Sequence, residues 1–557
     1  MKIYNEKGIT LIALVITVIL MLILTGVAIS ALTGDGGLFD KTRGAAEAFE
    51  NASQKEAKQI EDLMNEIDGY IAGIPEKPDK PTDPEPEEPT DPDKLTPEEL
   101  LTRTNGSWNG TINTPKLSTG MIPVYWNESG EEIQLTSESL RTEWDSWHNY
   151  VAQTDSTATA GSGTSKWANA VTKDSNGNIT GYWVWIPRYE YKLTTSTKTI
   201  DVNFIARDVI TPSTGYKIHP VFTNDTDKGG WDSEIPGFWV AKYSAGYQAS
   251  TVNNDGNLTN STDTVVYSNL KYSNPGNEYT NALGQSITTT NYSSINISYP
   301  VFKPLTYAYN CINIDGMYRI SQDVKNATNF YGLSNSTDSH LMKNSEWGAV
   351  AYLAWSKYGR NSTRVNINNV NLNNKDSKNI YAVTGIVANG VTVADTNGSF
   401  SGNIYNTTAG QLGSTTGNIT GVYDMSGCVW EYVTGFINNT AGETSRKMYG
   451  ASLVADDIES KYITVYSYNV SSDSCTNNWT TIDVNVRYGD AIKETSTSGI
   501  QTASWNGELS YFSEKDSPFL LRGGGYSSVS SAGVFSFSRY DGTGIGYRGF
   551  RVCLINE

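Results

Sequence analysis

The sequence is poor in charge, in cysteine and in histidine, and each shortage removes a class of explanation. Only 18% of its 557 residues are charged, and 59 Asp and Glu outnumber 41 Lys and Arg, for a formal net charge of -18. A chain of that sign offers no broad basic face to a phosphate backbone, which argues against nucleic acid as a partner. Four cysteines, Cys311, Cys428, Cys475 and Cys553, are too few for a disulfide scaffold, although outside the cytoplasm they could pair in more than one way. The three histidines, His148, His219 and His340, have no ligand-like spacing and read as structural residues. No Gly-rich phosphate loop and no Gly-x-Ser-x-Gly elbow is present, and the run Arg522 to Tyr526 reads as a turn that needs close backbone approach.

What is abundant points elsewhere. The chain holds 34 Tyr, 14 Trp and 51 Gly, a bias toward twisted antiparallel sheet, tight turns and aromatic surfaces. Its length exceeds the size at which one hydrophobic core stops growing, so segments of different character are expected.

The first hundred residues form a series of such segments. From Ile9 to Leu32 no charged residue occurs. At about 1.5 Å per residue that run crosses a bilayer core of roughly 30 Å as one helix. Lys2 and Lys7 precede it, which keeps the short N-terminus cytoplasmic and sends the remainder outward. Ile60, Leu63, Met64, Ile67 and Ile71 then recur at helical spacing among charged residues, predicting an amphipathic stalk. From Pro75 to Pro97 proline alternates with Asp, Glu, Thr and Lys, a composition that buries no core and acts as an extended spacer.

Glu6-Lys7-Gly8-Ile9-Thr10-Leu11-Ile12 resembles the cleavage signal of type IV prepilins. The resemblance implies cleavage between Gly8 and Ile9 by a prepilin peptidase. The family carries Glu five residues into the mature helix where this chain has Ala13, which argues for a retained membrane anchor over filament assembly.

After Leu100 short β-branched and aromatic stretches alternate with Asn, Gly, Ser and Asp clusters, as in a β-rich domain. One exception is Asn344 to Leu353, whose apolar residues predict a buried helix with Ser345 as its cap.

Several motifs in this region, taken in order, resemble the formylglycine-generating enzyme family and its sulfatase-modifying relatives, which share a C-type-lectin-like fold. They are Tyr182-Trp183-Val184-Trp185-Ile186-Pro187, Gly237-Phe238-Trp239-Val240-Ala241-Lys242-Tyr243, Ser339 to Tyr352 with Glu346-Trp347, Tyr423-Asp424-Met425-Ser426-Gly427-Cys428-Val429-Trp430-Glu431-Tyr432, Leu521-Arg522-Gly523-Gly524-Gly525-Tyr526, and the closing Gly549-Phe550-Arg551-Val552. The fold class so implied is α+β: an irregular, β-rich C-type-lectin-like domain with few helices over 101–557. Ahead of it stand the leader 1–8, a transmembrane helix 9–33, a stalk helix 34–73 and the Pro-rich linker 74–98.

The family's enzymes use a reactive cysteine pair before the Gly-Phe-Arg ending, yet no Cys lies between Gly524 and Arg548. A non-enzymatic domain without a cofactor is therefore expected. Where the family motif has Asn near a calcium site this chain has Cys428; Asp424 and Glu431 are the residues that could still supply hard oxygen ligands.

Within the same fold class, ligand-binding proteins diversified by retroelements vary between an Arg-Gly-Gly motif and the final Gly-Phe-Arg, which here spans 524–548. The candidate contacts are Tyr526, Ser528, Phe535, Phe537, Tyr540, Asp541, Thr543 and Tyr547, a mixture of rigid aromatics and small hydrogen-bonding groups. Adenine-directed diversification excludes Lys, Glu, Gln, Met and Trp, and none occurs from Gly524 to Arg548; the same five are missing from Asn379 to Gly410. The competing reading of the window is the last hairpin of the fold, with its aromatics packed inward at alternating positions.

The expectation is thus a single-pass, surface-displayed protein that binds an external protein or glycan. A pilin-like filament subunit and an enzyme with unrecognised chemistry are the alternatives.

Overall fold

The computed structural model describes residues 104–153, 164–247, 279–280, 286–287, 299–310, 312–334, 336–371, 382–396, 402–440 and 443–556. The leader, apolar segment, stalk and linker assigned to 1–98, and with them Gly8 and Ile9, lie outside the described residues. Among the described residues no helix is long and apolar enough to cross a membrane.

The described part is α+β and rich in strands. A seven-stranded antiparallel sheet runs in the order Thr337–Leu341, Val552–Asn556, Gly237–Ala241, Ile179–Pro187, Asn169–Lys173, Ile122–Trp126 and Glu132–Gln134. Its centre is apolar on both faces. Along Ile179–Pro187, Trp183 and Trp185 enter one core cluster while Val184 and Ile186 enter another. Neighbouring Gly237–Ala241 divides the same way, with Trp239 and Ala241 in the first cluster and Phe238 and Val240 in the second. The alternation of side chains along a strand therefore places this sheet between two cores, which is why these segments read as continuous hydrophobic runs.

A second sheet joins Thr464–Tyr466, Trp430–Ile437, Phe519–Gly523 and Gly533–Tyr540, and the short strand Arg548–Phe550 pairs in parallel with Trp430–Tyr432. Arg548–Phe550 leads directly into Val552–Asn556 of the first sheet, so the closing Gly-Phe-Arg-Val run links the two sheets. Arg551, at the crossing, is fully buried and makes a two-pronged ion pair with Glu431 through Nη2 (2.8 Å) and Nε (3.0 Å). It also donates to the carbonyls of Ala241 (2.7 Å) and Tyr423 (2.9 Å), tying both sheets to one guanidinium.

The helix Asn344–Trp355 is buried along all twelve residues. Its first turn is capped differently from the Ser345 expectation. The Glu346 carboxylate accepts the Lys343 N–H (2.8 Å), while the Ser345 hydroxyl donates to the Gly229 carbonyl (2.8 Å). Tyr189–Thr194 lies in a third, three-stranded sheet between Thr199–Phe204 and Lys217–Ile218, and the Tyr189 hydroxyl reaches the Ala349 carbonyl on this helix (2.7 Å).

Cys428, Cys475 and Cys553 are free, buried thiols. His219 is buried with Nε2 against the Gly489 carbonyl (2.7 Å), and burial pulls its pKa down to about 3. His148 packs among Trp144, Trp147 and Tyr150.

Candidate functional site

The window 524–548 begins at a turn that only glycine fits. Gly523 and Gly524 have φ of +83° and +81°, and a Cβ on Gly524 would lie 2.7 Å from both Cα and Cβ of Ala532. This is the close backbone approach expected for the run. One residue on, a Cβ on Gly525 would stand 3.2 Å from the indole of half-buried Trp430. Ser528 serves the turn itself: its hydroxyl accepts the Gly525 N–H (3.0 Å) and its carbonyl accepts the Ser531 hydroxyl (2.6 Å).

The strand Gly533–Tyr540 corrects two of the candidate contacts. Phe535 is fully buried between the rings of Trp355 and Trp505, at 5.3 and 5.2 Å. Phe537 is equally buried, stacked on Trp479 with ring centres 6.0 Å apart and planes 11° from parallel. Neither offers surface to a ligand. The reason is that the strand is bonded along both edges, to Phe519–Gly523 on one side and to Leu509 and Tyr511 on the other, and is covered on both faces. Exposure returns only at its end, where Ser538 and Arg539 are half-buried and Tyr540 is 39% exposed.

Beyond the strand the chain turns around Arg548. Asp541 Oδ1 accepts both the N–H (2.9 Å) and the hydroxyl (2.7 Å) of Thr543. Thr543, itself buried, gives its carbonyl (3.1 Å) and its hydroxyl oxygen (3.0 Å) to Arg548 Nη1. The Tyr432 hydroxyl, from the second sheet, donates to the same carbonyl at 3.1 Å. Arg548 is thereby fixed below the surface, 1% exposed, with Asp541 4.0 Å away. Its guanidinium carbon lies 3.2 Å from the centre of the Tyr540 ring and 5.3 Å from that of Tyr547. Tyr547 is half-buried and packs on a small cluster of Ala308, Ala382, Cys428, Val429 and Tyr526. Tyr526 is 7% exposed, and burial pushes its hydroxyl up to about 12.

The structure thus sorts the eight candidates. Tyr540, Asp541 and Tyr547 reach solvent around one buried arginine; Tyr526 belongs to the cluster on which Tyr547 packs; Ser528 and Thr543 shape turns; Phe535 and Phe537 belong to the core. Trp430 and Arg548 were not among the sequence candidates, yet Trp430 borders the window through Gly525 and Arg548 organises it. Trp430 lies inside the Tyr423–Tyr432 motif, whereas Arg548 is marked in the sequence only as the last residue of the window. The patch offers aromatic faces and edges, one carboxylate and backbone groups on the end of one strand and the turn that follows it, which suits stacking and hydrogen bonding to a ligand.

Asp424 and Glu431, the two calcium candidates, are both occupied by protein donors. Asp424 Oδ1 accepts from Asn368 Nδ2 (2.9 Å) and the Gly385 N–H (3.0 Å), and burial raises its carboxyl to about 6. Glu431 is held by Arg551 and by the Ser244 hydroxyl. A guanidinium already bound to Glu431 supplies the positive charge that a cation would bring, so these carboxylates brace the sheet crossing.

No family model and no curated protein matches the chain. Among solved structures it is similar to the "Major Tropism Determinant I1 Variant", with 10% identity and a TM-score of 0.22 over 82% of this chain and 98% of that one. It is also similar to the "Major Tropism Determinant P3c Variant", with 12% identity and a TM-score of 0.20 over the same shares. Likenesses at this level carry no argument about fold or function.

Proposed function

We propose that residues 101–557 form a non-catalytic, C-type-lectin-like binding domain that recognises an external protein or glycan through Tyr540, Asp541, Tyr547 and the adjoining Trp430. The N-terminal segment 9–33, with or without cleavage at Gly8 and Ile9, displays it at the cell membrane, and the window 524–548 is the region open to retroelement diversification.

One observation carries this reading: an exposed tyrosine is stacked on a buried arginine held by Thr543, with a second tyrosine on the same guanidinium. Rigid aromatic surface costs little entropy to engage, which is the property that makes tyrosine a frequent binding anchor. The half-buried state of the neighbouring Tyr547 and Asp541 gives such an anchor a polar, adaptable rim.

Two experiments test the proposal at separate points. Sequencing the DNA that encodes Gly524 to Arg548 across many cells of one culture should reveal substitutions concentrated at adenine positions of a template repeat; a uniform sequence would remove the diversification. Screening the full chain against glycan and surface-protein arrays should return a ligand whose affinity drops at least about tenfold in Tyr540→Ala. Binding unchanged in both Tyr540→Ala and Tyr547→Ala would place the site elsewhere.

A further inference from the structure

The edge of the seven-stranded sheet holds a cluster that the binding surface does not use. Thr337–Leu341 and Val552–Asn556 pair antiparallel in a register that sets His340 directly opposite Cys553. Residues directly opposite in such a pair project to the same face, with Cβ atoms about 5 Å apart. Glu346, from the first turn of the buried helix Asn344–Trp355, reaches over that face. One ligand atom from each of His340, Glu346 and Cys553 lies within 4.8 Å of the other two, and all three residues are buried. His340 Nε2 stands 2.8 Å from Glu346 Oε1, and the Cys553 thiol also hydrogen-bonds to Glu346.

We infer that His340, Glu346 and Cys553 form a structural site for one divalent transition ion of the zinc type, set where the last strand meets the buried helix. Imidazole nitrogen, carboxylate oxygen and thiolate sulfur are together the donor set of zinc and cobalt(II), whereas calcium and magnesium take oxygen alone. If Glu346 binds through both oxygens, the three side chains supply the four donors of a closed structural site.

The surroundings match the pattern by which ligating histidines are oriented. His340 Nδ1 lies 2.7 Å from Asp338 Oδ1, leaving Nε2 aimed at Glu346, and Asp338 is in turn held by the Tyr462 hydroxyl. A carboxylate behind the distal ring nitrogen fixes the tautomer and orientation of a ligating imidazole. Lys343, buried beside Glu346, has its Nζ engaged outside the donor set: it donates to the Gly230 carbonyl (2.9 Å) and sits 3.5 Å over the Trp231 ring. Charge also balances, since a neutral imidazole, a carboxylate and a thiolate neutralise a divalent ion that could not otherwise be buried.

The test is to produce the full-length chain with cobalt(II) present during folding, because so enclosed a site fills as the protein forms. Cobalt should co-purify at one equivalent per chain and give the near-ultraviolet thiolate-to-cobalt band together with the intense visible bands of tetrahedral cobalt. Cys553→Ser should abolish the thiolate band, whereas Cys475→Ser, at a buried thiol outside the cluster, should keep it. In case Cys553→Ser fails to fold, X-ray absorption on the wild-type zinc protein provides a second reading: one sulfur among nitrogen and oxygen ligands supports the site. Metal well below stoichiometric in folded wild type, or a bound ion with no sulfur in its shell, overturns it.

Discussion

The guanidinium carbon of Arg548 lies 3.2 Å from the centre of the Tyr540 ring, so the most exposed aromatic of the C-terminal window rests on one of the most buried cations in the fold. The two residues have separable roles. Tyr540 presents surface, and Arg548 holds the turn beneath it through Thr543. Tyr540→Ala should leave the melting temperature within about 2 °C of wild type, whereas Arg548→Ala, which removes the guanidinium donor to the Thr543 carbonyl and hydroxyl and empties a buried volume, should cost about 2–4 kcal/mol. Thermal and denaturant unfolding of both variants measures this; equal effects would mean the tyrosine is structural.

Phe535 and Phe537 are expected to behave as core residues. Truncating either to Ala removes ring contacts with Trp355 and Trp505 or with Trp479, and should cost about 3–5 kcal/mol. Denaturant titration would show it as a fall in midpoint with an unchanged slope. A loss below about 1 kcal/mol would return these rings to the list of surface contacts.

The Arg551–Glu431 pair should be far more sensitive to loss of one partner than to added calcium. Glu431→Ala leaves a buried guanidinium unpaired and should destabilise the fold by about 3–5 kcal/mol. Calcium or a chelator of calcium should not move the wild-type melting curve; a calcium-dependent rise would revive Asp424 and Glu431 as ligands.

Stability should depend on pH through Glu508. Its Oε2 accepts the Phe535 N–H (2.8 Å) and its Oε1 faces Arg364 Nε at 3.3 Å, while burial, the dominant influence, raises the carboxyl from an ordinary 4.5 to about 7. A carboxyl raised in the folded state stabilises the fold fully at pH below its unfolded value, and that contribution is lost as pH rises through about 7. Relative to Glu508→Gln, wild type should therefore lose on the order of 2–3 kcal/mol between about pH 4.5 and 7.5. Because His219 and Asp424 are common to both proteins, the difference between them isolates Glu508; a difference that stays flat with pH contradicts the assignment.

Some of this molecule is readable from its residues alone. The runs at Tyr182–Pro187 and Gly237–Ala241 are legible as strands through the motifs they resemble, and the glycine run after Arg522 announces a turn of close backbone approach, because left-handed φ is a local property of a few neighbouring residues. The buried helix at Asn344 is legible because helical periodicity is local as well. What neighbours cannot decide is which face or edge of an element is covered. Phe537 and Tyr540 stand three residues apart in one strand, yet one is sealed by Leu509, Tyr511 and Trp479 and the other is open, and those covering residues arrive from outside the window. The His340–Cys553 pairing is more remote still: strand register sets it across more than two hundred residues, and only the tertiary fold then brings Glu346 over the same face.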